Sequence, residues 1–321
     1  MLKNEKIIQT AEKKGNFRKK AMREIRNHGA LYALAIPGII ALILFSYMPM
    51  FGLVMVFKSY NYKDGIFGSP WVGLKNFEFL ILDIQNALRA TSNTIILNLL
   101  FIVVGTVLAI AVAIMVNELE SKIVKKISQS LMFFPYFISW VAMGAILHLF
   151  MDEGGVINNL ITAFGGTPVS WYMEAEYWRP ILLIVYLLKN TGYTSIIYFA
   201  AITGFDPAYY EAAAIDGASR LRQIFSITVP MLKPTIVIMF LLSIGRILCG
   251  DLGMIMGTTS MNPLLLSTTD IVETYVYRSA LQHGQFEMSS AIALYQSVFG
   301  FALVLFSNWV VGKFEKDYRL F

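Results

Sequence analysis

Six apolar runs dominate this chain, at roughly 30–57, 91–117, 128–150, 180–203, 234–257 and 287–312. Each is long enough to cross a bilayer as a helix, which takes about 20 residues. In lipid the backbone finds no water, and a helix satisfies its N–H and C=O groups within one segment. The expected fold is therefore an all-α polytopic membrane protein with six transmembrane helices. Composition agrees: 56% of the 321 residues are apolar and 15% are charged, against about 45–50% and about 25% in ordinary soluble domains. A soluble enzyme, a nucleic-acid binder and a disordered scaffold all fit poorly.

The formal net charge of +5 is a tail attached to a neutral body. Residues 1–28 hold nine Lys or Arg and three acids, a balance of +6, which leaves −1 for the rest. We read 1–28 as a basic cytoplasmic tail and 29–321 as the membrane domain, with no nucleic-acid partner. Placing the N-terminus inside puts 18 Lys and Arg in inner segments and five in outer loops. Positive residues collect on the cytoplasmic side, so both termini are expected there. The outer loop 151–177 has no Lys or Arg but carries Asp152, Glu153, Glu174 and Glu176. Pro37, Pro49 and Pro135 predict kinks in the first and third spans.

Catalytic and metal chemistry find little support. One cysteine, Cys249, rules out an intramolecular disulfide and reads as a small packing residue in an apolar run. The three histidines are too scattered for a metal cluster. A phosphate-binding P-loop needs GxxxxGK followed by Ser or Thr. Here Gly312-Lys313 is followed by Phe314, and position 307 is Ser. No catalytic or metal-binding residue is assigned.

The inner segment 204–233 is the most informative loop. Asp206-Pro207 suits a helix start, since Asp caps free N–H groups and proline fits the first turn. Gly217 can adopt the backbone angles that end a helix. The spacing predicts two short helices joined at Gly217, the second running from Ala218 to about Ile227. Glu211 beside Ala212, Ala213 and Ala214 offers an acceptor among small side chains. On physical grounds alone this is either a docking knob facing the cytoplasm or a surface helix linking two spans.

Glu211, Ala212, Ala213, Asp216, Gly217, Ala218, Phe225, Ile227 and Pro230 together resemble the EAA motif of permease subunits in binding-protein-dependent ABC importers, in the form found in the carbohydrate-uptake group. Trp71-Val72-Gly73-Leu74-Lys75-Asn76-Phe77, Asn93-Thr94 and Phe134-Pro135-Tyr136-Phe137-Ile138-Ser139 are similar to other signatures of that family. The lysine-rich N-terminus and Ser46-Tyr47-Met48-Pro49-Met50 look most like the subgroup importing complex polysaccharides and oligosaccharides, alginate-type systems included. The resemblance implies a type I ABC importer permease in a bacterial cytoplasmic membrane. It implies a second, different permease chain, two ABC ATPase subunits that bind ATP and Mg, an extracytoplasmic solute-binding protein and an oligosaccharide substrate. This chain itself would hold no cofactor. The resemblance also assigns ATPase coupling to Tyr209, Glu211, Ala212, Ala213, Asp216 and Gly217.

Polar residues inside spans cost free energy, about 2.5–3.5 kcal/mol for Lys or Arg at a helix centre, so each needs a reason. Lys189, Arg246 and Asp251 either line a wet sugar path or pair between helices, as Lys189 with Asp251. Tyr186, Asn190 and Tyr193 fall at i, i+4 and i+7, one helical stripe. Their rings and amide suit a sugar's C–H face and hydroxyls, and would equally pack between helices. We take Tyr186, Lys189, Asn190, Tyr193, Arg246 and Asp251 as the candidate substrate path. A stand-alone secondary transporter or channel is the alternative. It predicts internal symmetry and several intramembrane acids, and neither is evident here.

Overall fold

The structure, a computed structural model, describes residues 27–78, 82–282 and 284–314. It divides into two compact units, Met1–Gly73 and Leu74–Phe321. Of the basic tail only Asn27 and His28 are among the described residues, and Lys316 and Arg319 also lie outside them.

The first unit is one long apolar helix, α1 (Asn27–Phe57), followed by a loop that holds one short helical turn at Gly65–Gly68. Pro37 sits within regular helix, whereas around Pro49 the helix passes into a π turn at Ile43–Tyr47 and a 3-10 stretch at Met48–Phe57. Beyond it Lys58 and Trp71 form an antiparallel bridge, with the Trp71 ring stacked on Phe57 at 5.6 Å.

The second unit contains α2 (Ile84–Asn117), α3 (Lys122–Phe133), α4 (Trp140–Met151), α5 (Val156–Ala163) and α6 (Trp178–Thr203). They are followed by α7 (Ala208–Ile215), α8 (Arg220–Met231), α9 (Lys233–Ile244), α10 (Leu252–Thr259), α11 (Val272–Tyr277) and α12 (Phe286–Phe314). In the described residues five helices are long and apolar enough to cross a membrane, or six if α8 and α9, bent by 53° at Leu232, count as one. The bend lies between Pro230 and Pro234, and proline removes the N–H that a straight helix needs.

Two apolar runs that read as single spans are broken. The run 128–150 stops as α3, turns through a 3-10 segment at Phe134–Phe137, and restarts as α4. Pro135 cannot donate to the helix, and Ser139 caps the new one by accepting from the Ala142 amide at 3.1 Å. The run 234–257 stops at Ile244 and resumes at Leu252, where Asp251 caps α10 through the Met254 amide at 3.0 Å. Both expectations of one continuous span are corrected, because a side chain able to cap a new helix sits inside an apolar stretch.

Packing holds these pieces. One apolar core joins Leu97 and Phe101 of α2, Trp178 and Leu182 of α6, and Met254 and Ile255 of α10. A second joins Ala109 and Ala113 to Tyr198, Ile202 and Leu232. The restarted helices α4 and α10 cross at Gly144 and Gly257: a Cβ on Gly144 would lie 1.7 Å from the Gly257 carbonyl oxygen. Only a missing side chain allows backbones so close.

Candidate transport cleft and coupling loop

Breaking a span frees backbone carbonyls, and lipid offers them no partner. At the α9–α10 break they find amide side chains. Asn98 Nδ2 donates to the Ile247 and Cys249 oxygens at 2.8 and 3.0 Å, and Gln296 Nε2 donates to the Leu248 oxygen at 2.6 Å and to Glu273 Oε1 at 2.9 Å. At the α3–α4 break the freed oxygens meet a cation: Lys189 Nζ donates to the Tyr136 oxygen at 2.8 Å and to the Ile138 oxygen. The two breaks are joined where Trp140 Nε1 donates to Asp251 Oδ2 at 2.6 Å.

Beside the α9–α10 break lies a cleft of about 550 Å³, bordered by Asn98, Phe101, Tyr186, Arg246, Asp251 and Glu273, with Cys249 at its wall. A smaller extension of about 110 Å³ continues along α6 past Asn190 and Thr194. Tyr186 stacks face to face on Phe101 at 4.0 Å, and both residues of the pair border both spaces.

Four of the six candidate path residues meet here: Tyr186, Asn190, Arg246 and Asp251. Lys189 and Tyr193 do not line this space. Lys189 is buried, and its ammonium lies 5.1 Å from the Trp140 ring centre and 5.7 Å from that of Tyr136. The Lys189–Asp251 ion pair is absent, because Lys189 is held by carbonyls and Asp251 by an indole and a helix end. Tyr193 stacks on Tyr136 at 4.4 Å. Cys249 is exposed at the cleft rather than packed away, because the break turns its backbone out of helix. Asn98, Trp140, Glu273 and Gln296 were missed by sequence reasoning; an amide within an apolar run was the available signal.

The loop 204–233 folds as two helices joined at Gly217, with α8 running on to Met231 through a π turn at Ile224–Thr228. Asp206 Oδ1 accepts from the Ala208 amide at 3.0 Å. Gly217 has φ +76°, and the Ala218 and Gly217 amides return to the Ala213 and Ala214 carbonyls at 2.9 and 3.1 Å, the Schellman closure of a helix end. Ser219 then caps α8. Tyr210 Oη and Thr228 Oγ1 lie 3.0 Å apart and tie α7 to α8. Tyr209, Glu211, Ala212 and Asp216 are exposed, and so are the apolar Ile215, Leu221 and Phe225, while Ala213 is half-buried. Arg220 meets Glu118 at 3.8 Å, so this loop and the α2–α3 turn share one side of the molecule.

At the other ends of the spans Asp270 is fully buried. It receives Arg278 through two contacts of 2.8 Å and Arg89 at 3.0 Å. Asn93 donates to the Ser267 and Asp270 carbonyls and accepts from Arg179 at 2.8 Å, and Thr94 accepts from the Val272 amide at 2.9 Å.

Helices of membrane-spanning length, with two apolar runs broken and a polar cleft beside one of the breaks, are the build of a polytopic membrane transport subunit. The family model for the binding-protein-dependent transport system inner membrane component matches residues 105–319, and the chain belongs to that family. It is similar to the polygalacturonan/rhamnogalacturonan transport system permease protein YteP of Bacillus subtilis, at 36% identity over 94% of this chain and 93% of that one. Protein LplB of the same organism is 32% identical over 92% of each chain. Among solved structures, a chain of a bacterial ABC transporter involved in the import of the acidic polysaccharide alginate superposes with a TM-score of 0.83. It is 32% identical and covers 92% of this chain and 99% of its own. The chain is thus a multi-pass inner-membrane permease subunit of an ABC importer, a transport component and not an enzyme.

Proposed function

We propose that this chain forms one half of the path for an imported oligosaccharide and is driven through the loop 204–233. A second, different permease chain supplies the other half. Two ABC ATPase subunits, which bind ATP and Mg, act from the cytoplasm, and an extracytoplasmic solute-binding protein delivers the sugar. The relatives named for polygalacturonan, rhamnogalacturonan and alginate support a carbohydrate cargo. The 18-to-five bias of Lys and Arg supports cytoplasmic termini and a cytoplasmic face for the loop.

One observation carries the coupling role. α7 stands outside every span, exposes Tyr209 and Glu211, and is closed rigidly at Gly217 and tied to α8 by Tyr210. A body docking on Tyr209, Glu211, Ala212, Ala213, Asp216 and Gly217 therefore moves α8 with it, and α8 leads through the 53° bend into α9 and the cleft. Movement of two rigid bodies about such a joint is the usual form of switching between two open states. Tyr186, Asn190, Arg246 and Asp251 line the path. Lys189 and Tyr193 hold the wall behind it.

The test is Glu211→Lys and Gly217→Pro in the importer assembled from its neighbouring operon products. Both variants should insert in the membrane yet lose uptake and stimulated ATP hydrolysis. Normal uptake by both removes the coupling role, and failure of any P-loop ATPase to copurify with the chain removes the assembly.

A further inference from the structure

The cleft carries three charged side chains, and they are not equivalent. Asp251 is engaged by the Trp140 indole at 2.6 Å and the Met254 amide at 3.0 Å. Glu273 receives Gln296 on Oε1, while its Oε2 is buried without a donor. Arg246 lines the same cleft, is exposed to it, and among the described residues makes no side-chain hydrogen bond or ion pair. An arginine in a span is costly and persists where a partner is supplied. Here neither Asp251 nor Glu273 pairs with it, so the partner comes from outside the described residues.

The chemistry of the cleft describes that partner. A guanidinium is a planar fork that suits a carboxylate through two parallel hydrogen bonds. The Phe101–Tyr186 stack offers an apolar ring face, and Asn98 and Ser243 add polar contacts. A sugar ring with both hydroxyls and a carboxylate meets all of these, whereas a neutral sugar leaves Arg246 unpaired. We propose that Arg246 is a specificity-determining residue that pairs with the carboxylate of uronic-acid units, so that the chain passes acidic oligosaccharides in preference to neutral ones. This rests on the carbohydrate reading above.

Cys249, the one cysteine of the chain, provides the test because it borders the same cleft. The purified importer, with cysteine-free partner subunits, is reacted with an anionic thiosulfonate in the presence of trigalacturonate or neutral galactotriose. Trigalacturonate should slow modification about tenfold more than galactotriose, the factor expected of a charge-assisted hydrogen bond. Arg246→Gln should reduce its protection to that of galactotriose, and Arg246→Lys should keep part of it. Equal protection of the wild type by the two sugars overturns the proposal and leaves the carbohydrate reading standing, with no variant required. Protection by trigalacturonate that persists in Arg246→Gln also overturns it. Protection by neither sugar defeats the carbohydrate path and the proposal together.

Discussion

Lys189, buried in the fourth long helix of the chain, donates through Nζ to the backbone oxygen of Tyr136 at 2.8 Å across the interruption in the third apolar run. The same ammonium reaches the Ile138 oxygen and rests on the ring of Trp140. A buried cation is thus matched by two carbonyl dipoles and aromatic faces, with no carboxylate. The contact makes the break affordable in a medium without water.

Lys189→Met keeps the stem and removes the donor. Two carbonyls then lose a partner, and an unsatisfied buried acceptor costs about 1–3 kcal/mol. We expect a clear fall in thermal stability in detergent and weakened uptake. A variant as stable as the parent would show that water or the protein relaxes around the break at no cost.

Gly217→Ala tests the loop closure. The residue has φ +76°, and its added Cβ would meet nothing within 4 Å, so any effect is conformational. A left-handed alanine costs roughly 1–2 kcal/mol, enough to shift α7 away from its closed form. The expected outcome is reduced uptake per ATP hydrolysed with nearly unchanged overall stability. Parental coupling ratios would mean that the angle between α7 and α8 is immaterial.

These cases mark what was legible in the sequence. The apolar runs were, because lipid makes length and hydrophobicity obligatory. So was the loop: Asp206-Pro207 and Gly217 act on their own neighbours, and φ at Gly217 follows from local chemistry. The breaks were not. Residues 245–251 lie inside a run long and apolar enough to pass for one span despite Arg246 and Asp251, and the amides that hold their carbonyls, Asn98 and Gln296, are distant in sequence. Helical spacing put Tyr186, Asn190 and Tyr193 on one stripe, yet Tyr193 turns to Tyr136 because the third run breaks beside it. Period reports which face a residue shares, and tertiary packing decides what that face meets.

Asp270→Asn addresses the far end of the spans. Asp270 is fully buried and balances Arg89 and Arg278. Removing its charge leaves two guanidinium groups, the first about one-third exposed and the second less, without their anion. Breaking a buried pair from one side costs about 3–5 kcal/mol, and partial solvation here places the expected loss near the lower figure. Arg89→Gln should cost much less, because Arg278 keeps both of its contacts. Equal losses for the two variants in a thermal unfolding series would refute this ranking.

Asn98→Leu and Gln296→Leu ask whether the break beside the cleft is a single unit. Each amide holds carbonyls of the same short segment: Asn98 takes Ile247 and Cys249, and Gln296 takes Leu248 while also holding Glu273. Each replacement should cost about 1–3 kcal/mol, the penalty for an orphaned buried acceptor. If the segment is one cooperative element, the first loss already loosens it and the second finds less to remove. The double variant should then fall short of the sum by about 0.5–3 kcal/mol, the range for residues sharing a network. Gln296→Leu alone should also alter sugar uptake more than Asn98→Leu, since it frees Glu273 at the cleft wall. Strict additivity in thermal unfolding, with the two uptake defects equal, would mean that the carbonyls are held independently and that the segment is no unit.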